Sequence, residues 1–150
     1  MTEAGPEAAR SVDGADELRR FVTEALGCGC PDEVLARIRV EHGDGGEPGL
    51  DVGGRLLVRV VSERGLDELI RNFPDTVEGL RAERDRRGFN RLRLVVVRRS
   101  AGPLEETLSG MLGLVSGSDG RVHVHVVPPE SVPAVLLAPG RDSHPRGLAS

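Results

Sequence analysis

Two apolar runs constrain this chain more than any other feature: Leu56-Leu57-Val58-Arg59-Val60-Val61 and Leu92-Arg93-Leu94-Val95-Val96-Val97. Each is short, nearly unbroken and rich in β-branched residues, the pattern of strands buried on both faces beneath helices. Between them, Gly65 to Arg87 has helical character but contains Pro74, and Gly88 closes it. That predicts two helical pieces, Leu66 to Asn72 and a second from Asp75. Strand, helix and strand in this order predict a right-handed crossover between parallel neighbours.

The flanking segments add to this unit. Upstream, Ile38, Val40 and His42 alternate with Arg37, Arg39 and Glu41, which predicts a half-buried strand. A loop over Gly43 to Gly49 and a turn through Gly53-Gly54 make a hairpin from residue 37 to residue 61 the simplest topology. Downstream, Pro103 suits a first helical position, and Leu104, Leu108, Met111 and Leu112 follow at helical spacing. A strand over 121–127 and a last helical turn within 130–137 complete the pattern. The expected fold is α/β, with α+β as the alternative: a mixed sheet of about four strands packed with helices, led by an N-terminal helical segment. Residues 12–138 form the single domain, and 1–11 and 139–150, the latter holding His144, read as disordered tails.

The leading helix carries Leu18, Phe21, Val22, Ala25 and Leu26 on one face, with Asp13 as its N-cap and Gly27 as its left-handed stop. The chain's 2 cysteines follow at once, in Cys28-Gly29-Cys30-Pro31. Cys30 is expected at the N-cap of a second short helix, with Pro31 at the first helical position and Glu33 two residues on. A thiol there gains from free backbone N–H groups, while Asp32 and Glu33 oppose a further negative charge. Gly29 permits the tight bend that a Cys-x-Cys disulfide needs.

Three readings of this element stay open. Cys28 and Cys30 are catalytic thiols in exchange chemistry, with Cys30 the more nucleophilic. Alternatively they bind zinc or iron together with His123 and His125, which a strand's period of two puts on one face, roughly 7 Å apart. In the third reading the cysteines are packing residues, and the protein is a non-catalytic interaction domain. Over Cys28 to Pro31 alone, a cysteine leading into a proline at a helix start resembles thioredoxin-like and sulfur-carrier proteins. The Cys-x-Cys spacing departs from the thioredoxin pattern, and no family is assigned on it.

A second candidate site lies at the carboxyl ends of the two apolar strands. There Ser62 and Arg64 face Arg98, Arg99 and Ser100 across what would be an anion-binding edge. The arginines from Arg81 to Arg99 form a basic run that suits an acidic protein partner. Nucleic acid is not expected: the net charge is −4, and Phe21, Phe73 and Phe89 are the only aromatic residues besides histidine. Lysine is absent, which excludes aldimine chemistry and a Walker-type phosphate loop. No membrane association is expected, because no apolar run reaches spanning length and Met1 to Pro6 lacks a signal-peptide pattern, so the default compartment is cytoplasmic.

Overall fold

The computed structural model describes residues 14–43, 46–100, 102–116 and 120–137, so both expected tails lie outside the described residues. Its centre is a mixed sheet of 5 strands in the spatial order of the sequence: β1 (Ile38–His42), β2 (Pro48–Val52), β3 (Leu56–Val61), β4 (Arg91–Val97) and β5 (Val122–Val127). The first three form an antiparallel meander, and β3, β4 and β5 run parallel. The expected four strands become five because Pro48 and Gly49 open a separate strand where glycine-rich slack was expected. All of β2 is buried between β1 and β3.

Helices cover both faces. On one lie α3 (Leu66–Arg71) and α4 (Phe73–Arg87), which cross from β3 to β4, and α5 (Leu104–Ser116), which crosses from β4 to β5. Leu69, Phe73, Val77 and Leu108 pack there on Leu57, Leu92, Leu94, Val96, Val122 and Val124. Phe73 and Leu108 are completely buried, each worth roughly 1.5–3 kcal/mol of apolar transfer. Pro74 falls in the first turn of α4, where its missing N–H costs nothing, and Gly88 ends the helix at φ +80°. The break sits between α3 and α4 at Asn72, upstream of the expected start at Asp75.

The opposite face is covered by the segment before the sheet and the one after it. The helix α1 is α-helical over 14–20 and widens to a π-turn over Phe21–Ala25. It is followed by the single-turn α2 (Asp32–Leu35). Beyond β5, the expected last helical turn is two short 3₁₀ turns, Pro129–Ser131 and Ala134–Leu136. Phe21, Val22, Leu26, Val34, Val132 and Leu136 pack on Leu50, Val52, Leu56, Val58, Val60, Val95 and Val97. Strand alternation divides the sheet between two cores, and Cys28 belongs to the second.

Candidate functional site

Gly27 ends α1 in the left-handed region at φ +67°, as the sequence predicts, and the Cys28 amide reaches back 3.1 Å to the Val22 carbonyl. This return turns Cys28 inward, where it is 7% exposed among aliphatic side chains. Cys30 packs against the rim of the same core and is half-buried. The two sulfurs lie at disulfide distance, with Cα atoms 5.4 Å apart. A Cβ built on Gly29 would meet no atom within 4 Å, so the bend between the cysteines faces open space.

The expected cap does not form. Pro31, in extended conformation at ψ 159°, is the N-cap of α2, and its carbonyl accepts the amides of Val34 and Leu35 at 3.0 Å. Cys30 therefore lies one residue outside the helix. Asp32 and Glu33 take the first turn, where acidic side chains suit the dipole. A helix of 4 residues offers little field to a thiolate in any case.

His123 and His125 share the cysteine face of β5, as their spacing predicts. His123 stands opposite Arg93, and the Arg93 Nη1 donates to His123 Nδ1 across 2.6 Å. That contact holds the ring neutral with its proton on Nε2. Among the described residues no group of three or more His, Cys, Asp or Glu side chains gathers around a point suited to a metal ion. The four ligands expected from sequence are thus not assembled, and a guanidinium occupies one ring nitrogen of the pair. Burial, and then Arg93, hold both imidazoles below their ordinary value, and Arg91 adds to the lowering at His123.

At the strand ends, β3 and β4 are parallel neighbours as expected, so Ser62 and Arg64 lie at the same sheet edge as Arg98, Arg99 and Ser100. A ligand crevice at such an edge requires the strand order to reverse, with crossovers leaving on opposite faces. Here the order runs straight from β1 to β5, and α3, α4 and α5 pack one common core. The loops consequently form no switch point. Ser62, Arg64, Arg99 and Ser100 are exposed, and the Arg98 amide is held by the Val127 carbonyl at 2.9 Å.

The basic run expected as a docking face is divided by the fold. Arg84 is buried and donates to Asp85, while Arg87 donates to Glu41 and Glu83 on the helical side. Arg93 lies beyond the sheet on the cysteine side. A charge network absent from the sequence reading joins Arg59 and Arg87 to Glu41 and Glu83, with N–O distances of 2.6–2.9 Å. Arg59 is the odd residue of its apolar run, which was its only signal. Two clefts of about 400 and 410 Å³ flank α1, and neither is lined by a cysteine or by His123 or His125.

No protein-family model, curated protein or solved structure matches this chain. Among the described residues no helix is long and apolar enough to cross a membrane.

Proposed function

We propose that Cys28 and Cys30 form a reversible dithiol that exchanges with external thiols and disulfides, a protein cysteine pair being the natural partner. The observation that carries this reading is the asymmetry of the pair: two sulfurs at disulfide distance, one within the core and one at its rim. A structural role gives little return at this spacing. Closing a three-residue loop restricts the unfolded chain by on the order of 1–2 kcal/mol, against about 3 for a fifteen-residue loop.

In the exchange, an incoming thiolate attacks the Cys30 sulfur, the S–S bond breaks, and Cys28 leaves as the thiolate. Cys30 is then held in a mixed disulfide. A second external thiolate attacks the partner's sulfur and releases Cys30, so two external thiols become one disulfide and the protein gains two electrons. In reverse, Cys30 attacks the partner disulfide and Cys28 resolves the mixed species. Access selects Cys30 for the first contact, and burial reserves Cys28 for the second step.

The test uses the full chain with oxidised glutathione. Cys28→Ser, which keeps the rim sulfur, is expected to form the glutathione adduct at least about tenfold faster than Cys30→Ser, by mass spectrometry. Equal rates, or no adduct with either variant while the protein stays folded by circular dichroism, overturn the reading. Zinc or iron near one equivalent in reduced protein purified without oxygen replaces it with the metal reading.

A further inference from the structure

On the cysteine face of β4, Arg93 is 7% exposed, and its Nε has no hydrogen-bond partner among the described residues. Among the described residues its polar side-chain contact is the neutral ring of His123. Among the described residues no carboxylate balances it: the charged group acting on it is Arg91, of like sign, two residues back on the same face. Beside His123 on β5, His125 stands opposite Val95, and its Nε2 is likewise buried without a partner among the described residues. Two polar atoms without partners therefore share one face, on diagonal positions of adjacent strands.

A buried guanidinium without a counter-charge costs several kcal/mol, and native structures avoid it unless something repays the cost. The contrast with Arg59 is direct: equally buried in the same sheet, it has two carboxylates within 2.9 Å. Arg93 also lies beside an edge strand, and both Arg91 and His123 are exposed at its rim. We propose that Arg93, with Arg91, His123 and His125 around it, forms the floor of a binding site for a small oxyanion, a phosphate or carboxylate group. The guanidinium fork matches the two oxygens of such a group, the imidazoles supply neutral N–H donors, and Arg91 draws the anion in from solvent. Among the described residues, the one acid whose charge acts on Arg93, His123 or His125 is Glu105 of α5, which acts on His125.

The experiment titrates the full chain with inorganic phosphate, and separately with acetate, at constant ionic strength. The readouts are the ring resonances of His123 and His125 and the thermal midpoint. Saturable shifts with either anion, weakened about ten- to hundredfold by Arg93→Met, support the site. Tighter binding of phosphate or of acetate then says which source of oxyanion the site prefers. Arg93→Met is further expected to be at least as stable as the parent in buffer free of both anions, since it removes an unpaired buried charge. The proposal is overturned if neither anion saturates, if Arg93→Met binds as the parent does, or if that variant is strongly destabilised without anion.

Discussion

Glycine 49 is demanded by its neighbours rather than by its own backbone angles. It stands between Glu41 of β1 and Arg59 of β3, and the Arg59 guanidinium crosses above it to reach Glu41. A Cβ at this position would collide with the Val58 carbonyl oxygen and lie 2.7 Å from Arg59 Nη1. Backbone cannot yield cheaply, so Gly49→Ala is expected to lower stability by about 1–3 kcal/mol, the usual range for overpacking a filled site. Urea unfolding measures it, and an unchanged midpoint would show that β2 shifts to make room. In the sequence this glycine ends a run that reads as loop slack, because the partner that requires it is ten residues away. Arg93 is hidden in the same way: it reads as one arginine of a surface run, and only pairing with β5 shows it buried with no counter-ion among the described residues.

At the scale of elements, what was legible followed local period. β3, β4, β5 and α5 were readable because apolar residues recur at two or at three to four positions. The stop of α1 at Gly27 and of α4 at Gly88 was readable because a left-handed glycine is a local signal. β2 was lost because its apolar content is only Leu50 and Val52, and its burial comes from neighbours on both sides. The cap of α2 was lost because Pro31 serves equally as N-cap and as first helical residue, a choice that the return of Cys28 to Val22 settles. One edge device carries a test. β5 ends the sheet, and the Val126 N–H donates to the Glu105 carboxylate of α5 at 3.1 Å. Covering an edge amide in this way removes a template for strand addition. Glu105→Ala is expected to speed amide exchange at Val126 by about tenfold or more and to increase self-association with concentration, while Glu105→Gln, which keeps an acceptor, behaves as the parent. Scattering and exchange profiles that do not distinguish the two variants would assign the edge protection elsewhere.

Across the whole molecule, the two faces carry titrating groups that act in different pH windows. On the helical side, hydrogen bonds from Arg87 hold the Glu41 carboxyl below its ordinary value of 4.5, burial opposes them, and Arg59 adds to the lowering. A depressed carboxylate stabilises the fold above the unfolded pKa and loses that contribution as pH falls through the folded one. On the cysteine side, burial and then Arg93 hold His125 below its ordinary 6.5. The unfolded chain then binds a proton near pH 6.5 while the folded chain does not, so stability is full above that pH and declines below it. The stability profile should therefore descend in two steps, one beginning near pH 6.5 and one near pH 4.5, each bounded at about 1.4 kcal/mol per pH unit for each proton. His125→Asn is expected to make the first step shallower, leaving the part that His123, also held low, contributes, and Glu41→Gln is expected to flatten the second. The two changes should add, since one residue faces each side of the sheet with no shared partner. Saturating phosphate links this profile to the oxyanion site: an anion beside Arg93 offsets the charge that disfavours imidazolium, so the upper step should become shallower while the lower one stays. An upper step indifferent to phosphate, with the lower one intact, would count against the anion site without touching the charge network.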